Sequence, residues 1–205
     1  GLTTAGIQNE SDTAFYAQKD IKVTQDTTVK AVFDYNGVQF ESNEVKFEAE
    51  VKSGTVNNTM TQEAIQAAID ANDEIVFEAG KYTDISLMIK DNKTIVPQGT
   101  VVFNYTTPKN AINMVEDDSV LTIGDGIGGT LEIVGSGNGI YAINTDVTIN
   151  FAENVTFYVH DSIMTDGLLS GNGISLNGNF DGSVNAGEGV VLKLMNNKAG
   201  IYTYG

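Results

Sequence analysis

Two hydrophobic rhythms divide this chain near residue 55. Over residues 14–51, apolar and polar positions alternate with the period of two that a pleated strand imposes. Ala14-Phe15-Tyr16, Ile21-Lys22-Val23, the run from Thr28 to Phe33 and the run from Glu44 to Val51 follow it, with turn-rich pieces such as Gln25-Asp26 and Tyr35-Asn36-Gly37 between them. In the last run Val45, Phe47, Ala49 and Val51 share one face, and Glu44, Lys46, Glu48 and Glu50 share the other, as in a half-buried strand. Residues 1–55 therefore read as a small Ig-like β module, too poor in strands to bury a core alone. Ser53 to Asn58 reads as a short polar link.

From residue 56 the rhythm changes. Thr59 with Gln62 forms a capping-box pattern, and Ala64, Ile65, Ala68 and Ile69 make one apolar stripe up to Asn72, which predicts a single helix. Beyond it short β-branched runs alternate with Gly, Asn and Asp. A motif returns among them: Asn110-Ala111-Ile112, Asn138-Gly139-Ile140, Asn172-Gly173-Ile174 and Ala199-Gly200-Ile201, the isoleucines spaced 28, 34 and 27 residues apart. A helical repeat would fill such a period with amphipathic helix. Short strands with turns predict a parallel β-solenoid over residues 56–205, with three strands per coil and the early helix covering its first coil. Asn tolerates left-handed backbone and can stack its amide, which suits a turn repeated coil after coil. The 34-residue interval predicts an excursion around His160–Leu169, and the last coil breaks off at Tyr204-Gly205, as expected of a piece of a longer protein.

Ala64 to Ala71 followed by Ile75-Val76-Phe77-Glu78-Ala79-Gly80-Lys81-Tyr82 resembles the opening of the pectin-lyase-like family over residues 59–205. The resemblance implies a right-handed parallel β-helix with an N-terminal capping helix. Ile21 to Ala31 with Glu41 to Val45 resembles the small β-sandwich at the C-terminus of chitobiase-type β-hexosaminidases, which implies a spacer without chemistry of its own. The expected fold class is thus all-β.

Net charge is −16, divided as −4 over residues 1–55 and −12 over residues 56–205. Such a field repels polyanions, so nucleic acid and anionic membrane surfaces are excluded as partners. No apolar run reaches the ~20 residues that span a bilayer. There is no cysteine, so nothing depends on disulfides; an acidic, Gly- and Asn-rich β protein of this kind is expected to be secreted or displayed on a bacterial cell surface.

The enzymes of the resembled family use an Arg or Lys base beside carboxylate-held Ca²⁺, or clustered Asp with His and an Arg/Lys pair. This chain has no arginine, and Asn144-Thr145-Asp146 only echoes the first polygalacturonase signature without its partners. Lys90, Lys93, Lys109, Lys193 and Lys198 are the remaining candidates for an elimination base, but in so acidic a chain nearby carboxylates would keep them protonated. Glu116-Asp117-Asp118 is the densest carboxylate cluster, with Asp125, Asp161, Asp166 and Asp181 on other turns. Hard oxygen ligands on turns suit Ca²⁺, so Asp117, Asp118 and Asp125 are the candidate calcium ligands. Stacking is expected to bring Asp117 or Asp118 near Asp146.

His160 beside Asp161 has the elements of a general base. Tyr141 and Tyr158, with Tyr202 and Tyr204, are candidates for an aromatic strip against sugars. The expected binding residues are therefore Asp117, Asp118, Asp146, Tyr141 and Tyr158. The expected function is contact with polysaccharide or host glycan, non-catalytic as the chain stands. The alternatives are a lyase or hydrolase whose site is completed by residues outside this chain, and a structural stalk.

Overall fold

The computed structural model describes residues 7–10, 13–17, 27–29, 32–35, 38–41, 45–47, 51–143, 146–163, 171–177 and 182–204. The chain divides into two compact units, Gly1–Val51 and Lys52–Gly205.

Six short strands are described in the first unit, paired antiparallel in twos. β1 (Ile7–Glu10) pairs with β2 (Thr13–Ala17), β3 (Thr27–Val29) with β6 (Val45–Phe47), and β4 (Val32–Tyr35) with β5 (Val38–Glu41). The run expected to be one strand from Thr28 to Phe33 contributes to two separate pairs instead. Tyr35 stands opposite Val38 in the register of β4 and β5. Ile21 to Val23 lies outside the described residues.

The second unit begins with β7 (Ser53–Val56), α1 (Gln62–Ala71), β8 (Glu74–Thr83), β9 (Leu87–Ile89) and β10 (Lys93–Asn104). Then follow β11 (Ile112–Met114), β12 (Val120–Ile123), β13 (Gly129–Val134), β14 (Ile140–Ile143), β15 (Thr148–Phe151) and β16 (Val155–His160). Last come β17 (Asn172–Asn177), β18 (Ser183–Ala186), β19 (Val191–Met195) and β20 (Ala199–Tyr204). Every described pairing here is parallel.

The pairings build three ladders. Ladder one runs β7, the first half of β8, the first half of β10, β12, β15 and β18. Ladder two runs the second halves of β8 and β10, then β13, β16 and β19. Ladder three runs β9, β11, β14, β17 and β20. From β8 onward the chain visits one, two and three in turn and repeats the circuit. β8 and β10 each serve two ladders because they bend where Gly80 and, in β10, Gly99 at φ +78 interrupt the register.

The recurring isoleucines are one column of this stack. Ile112 pairs with Ile140, Ile140 with Ile174 and Ile174 with Ile201, and Leu87 precedes them. Leu87, Ile112, Ile140 and Ile174 are all fully buried. Parallel columns of Ile75, Ile95, Ile123 and Phe151 on ladder one, and of Tyr82, Phe103, Ile133 and Val159 on ladder two, complete the core. Each such side chain contributes roughly 1.5–3 kcal/mol by leaving water.

Before Ile140 and Ile174 the chain has no room for a side chain. A Cβ at Gly139 would stand 2.4 Å from the Gly173 carbonyl oxygen, and one at Gly173 would stand 2.6 Å from that of Gly200. The asparagines ahead of them are linked. Asn138 Nδ2 donates to Asn110 Oδ1 (2.8 Å), and the Asn172 backbone N–H donates to Asn138 Oδ1 (2.9 Å).

Two expectations need correction. Ser53 to Val56 is a strand rather than a link: it extends ladder one and buries Val56, but one buried apolar residue in four leaves no alternation to read. The helix N-cap is Thr61, whose hydroxyl accepts from the Ala64 N–H (3.3 Å); Thr59 bonds to Asn57 instead. Gln62 is thereby freed, and with Gln66 it reaches the segment at the start of β9. Gln62 donates to Ser86 O (2.8 Å) and accepts from Ser86 N (2.7 Å), while Gln66 does the same at Met88 (2.9 Å each way). Ile65 and Ile69 carry the buried stripe as expected.

Candidate functional site

The outward face of ladder two brings several titratable side chains together. Alternation on β13 sends Leu131 and Ile133 into the core and leaves Glu132 half-buried between them. On β16, Phe157 and Val159 go inward, leaving Tyr158 and His160 on the outside. The parallel register then aligns Glu132, Tyr158 and Lys193 in one row, and Val134, His160 and Met195 in the next.

His160 lies between two carboxylates. Its Nε2 is 3.0 Å from Glu132 Oε1, and its Nδ1 is 2.7 Å from Asp161 Oδ2. The His160 side chain is 15% exposed, that of Glu132 28% and that of Asp161 50%. Tyr158 stacks on the imidazole, ring centroids 4.3 Å apart and planes 22° apart, and Lys193 Nζ stands 5.8 Å from the Tyr158 ring centre.

The backbone explains why an aspartate follows His160. The residue leaving ladder two is left-handed in three successive circuits: Gly135 at φ +74, Asp161 at φ +54 and Asn196 at φ +50. Gly, Asn and Asp tolerate that conformation best. Asn196 Nδ2 donates to Asp161 Oδ1 (3.1 Å), so the corner is tied to the following circuit as well. Neither Glu132 nor His160 has a backbone reason to be there.

The charges respond to one another. Burial alone would depress the His160 pKa, but hydrogen bonds to Glu132 and then Asp161, with the two negative charges, outweigh it and raise the value above that of an ordinary histidine. Asp161 is held below the usual carboxylate value by the His160 hydrogen bond first and by Asn196 second.

The other expected residues are distributed differently. Asp117 and Asp146 do meet where ladder three passes to ladder one. The Asp146 N–H donates to Asp117 Oδ1 (3.3 Å), and the Asp118 N–H to the Asp146 carbonyl (2.7 Å). Asp125 sits beyond the far end of β12 from Asp117 and Asp118, across a four-residue strand at roughly 3.3 Å per residue, and accepts from the Ile127 N–H. Asp117, Asp118 and Asp125 therefore do not converge as a calcium ligand set. Among the described residues no group of three or more His, Cys, Asp or Glu is placed to hold a metal ion.

Tyr141 and Tyr202 share a row of ladder three with Ser175 between them, whereas Tyr158 belongs to ladder two, so these tyrosines make two sites rather than one strip. The lysines also separate. Lys93 is buried, donates to the Asn72 carbonyl (2.8 Å) at the helix C-cap and pairs with Asp91 (2.9 Å). Lys109 reaches the Asp84 carbonyl (3.3 Å), and Lys193 stands beside Tyr158 in the His160 cluster. Asn144, Thr145, Asp166, Asp181 and the middle of the expected excursion lie outside the described residues.

Sequence reasoning found His160 with Asp161 and missed Glu132. Glu132 lies one circuit back and diagonal to His160, whose register partner is Val134, so no spacing in the sequence singles it out. Compared with family models, with curated proteins and with solved structures, the chain matches none.

Proposed function

We propose that the second unit is a right-handed parallel β-helix of the pectin-lyase-like kind, carried by a secreted or surface-displayed bacterial protein. It contacts polysaccharide or host glycan without cleaving it. The first unit serves as a spacer of the chitobiase-associated type. The cyclic order of three parallel ladders behind a single helix supports the scaffold. The row of Glu132, Tyr158 and Lys193, with His160 beside it, carries the binding reading. A phenol, an ammonium and a carboxylate on one sheet face supply donors and acceptors for sugar hydroxyls. Strands repeating about every 4.8 Å offer a surface along which a linear polymer can lie. Tyr141 and Tyr202 add aromatic surface on the neighbouring ladder.

A polysaccharide array, probed with and without Ca²⁺, tests this directly. Retention on at least one glycan, weakened about tenfold or more by Tyr158→Ala with Lys193→Ala, is the expected result. A blank array removes the binding reading.

A second reading, β-elimination on uronic-acid polymers, draws on three titratable side chains of the same face, Tyr158, His160 and Lys193. Incubation with such polymers and Ca²⁺, following unsaturated ends by ultraviolet absorbance, decides between them. Product would replace binding with catalysis.

A further inference from the structure

His160 is the only histidine in the chain, and the number of protons on its ring follows from its two contacts. A neutral imidazole carries one N–H and one lone pair, so it can donate to one carboxylate only. Here both ring nitrogens are within hydrogen-bond distance of carboxylate oxygens, Glu132 at 3.0 Å and Asp161 at 2.7 Å. Both contacts are favourable only when the ring is the imidazolium.

The two carboxylates are not equivalent. Asp161 is the next residue in the chain, is fixed by its left-handed backbone and is held by Asn196 from the following circuit. Glu132 comes from the preceding circuit, makes the longer contact, and has no other hydrogen bond among the described residues. The remaining groups facing the ring are Tyr158, stacked on it from the same strand, and its register neighbours Val134 on β13 and Met195 on β19. Lys193, on β19, stands over Tyr158.

We propose that Glu132, His160 and Asp161 form a proton-operated latch between successive circuits, closed while His160 is charged and opened at Glu132 when the ring loses its Nε2 proton to solvent. In the open state Nδ1–H stays on Asp161, and Glu132 faces a lone pair and turns away. The freed carboxylate remains in the row of Tyr158 and Lys193. Resting on the glycan reading, it then becomes an acceptor for sugar hydroxyls, and capture strengthens as pH rises.

The sign follows from linkage. Because the folded-state pKa is raised, the stabilisation from the latch is complete below the ordinary histidine value and is lost as pH rises through the raised one.

A single histidine makes the experiment clean. Two-dimensional NMR of the imidazole C–H groups of the full chain, from about pH 5 to about pH 9, reads the ring directly. A midpoint above about 6.5 is expected for the wild type, and Glu132→Gln is expected to weaken proton affinity several-fold. A wild-type midpoint at or below about 6.5 overturns the latch and needs no variant to fold. So does a folded Glu132→Gln protein that titrates like the wild type. These measurements use no glycan, so a blank array would remove the binding reading alone.

Discussion

At the scale of single residues, the sharpest constraint is the glycine before Ile140 and before Ile174. Gly139→Ala and Gly173→Ala drive a methyl group into a backbone carbonyl that belongs to the sheet and cannot turn aside. Each is expected to cost about 1–3 kcal/mol in urea unfolding. Gly200→Ala meets only Leu194, at an ordinary 3.4 Å, and should leave stability nearly unchanged. Equal losses at all three positions would remove the close-approach explanation. The charged residues supply a second test. Asp161 stabilises the fold above the ordinary carboxylate range, and loses that effect as pH falls through its lowered pKa; His160 contributes below the ordinary histidine range, and loses that effect as pH rises through its raised pKa. The melting-temperature difference between wild type and His160→Gln should therefore be largest between about pH 4 and about pH 6.5, and shrink on either side. A difference that is flat with pH would mean the imidazole acts by shape alone. The pairing of His160 with Asp161 could be read from adjacency, but Glu132 could not, because no local pattern announces a partner one circuit away.

At the scale of elements, the helix does more than bury Ile65 and Ile69. An edge strand presents unpaired N–H and C=O groups that invite another chain. Gln62 and Gln66, one helical turn apart, each pair both backbone groups of one residue, Ser86 just ahead of β9 and Met88 within it, and so stand in for a neighbouring strand. Replacing both by Leu removes these four hydrogen bonds and the one from Gln66 to Asp70, worth about 0.5–1.5 kcal/mol each, and uncovers that edge. Concentration-dependent association in analytical ultracentrifugation is expected, and a strictly monomeric double variant would show that the edge is guarded by something else. The helix itself was legible from its apolar stripe, and its cap was not. Thr59 and Thr61 both precede plausible first turns, and the choice between them depends on Gln62 finding Ser86, a contact 24 residues distant. β7 was hidden for a similar reason: its pairing partner, and not its own composition, makes it a strand.

At the scale of the whole second unit, the repeat is where sequence spoke most clearly. The isoleucine intervals of 28, 34 and 27 residues differ, yet all four residues share one register, because loops absorb the extra length while the ladder cannot. Stability in such a stack is held between adjacent circuits. Ile174→Ala, fully buried between two neighbours, should cost about 2–5 kcal/mol. Ile201, 48% exposed, should lose less than about 1 kcal/mol on the same change. Similar losses at both sites would mean that the column does not transmit its packing this far. The ladders have a mechanical consequence too. Their hydrogen bonds lie along the stacking direction, so a force drawing the circuits apart along that axis meets them one circuit at a time. A chain held at Lys52 and Tyr204 in an optical trap should then lengthen in discrete steps. Each step releases one circuit, which for the 28 residues from Ile112 to Ile140 is roughly 90–100 Å of extended chain.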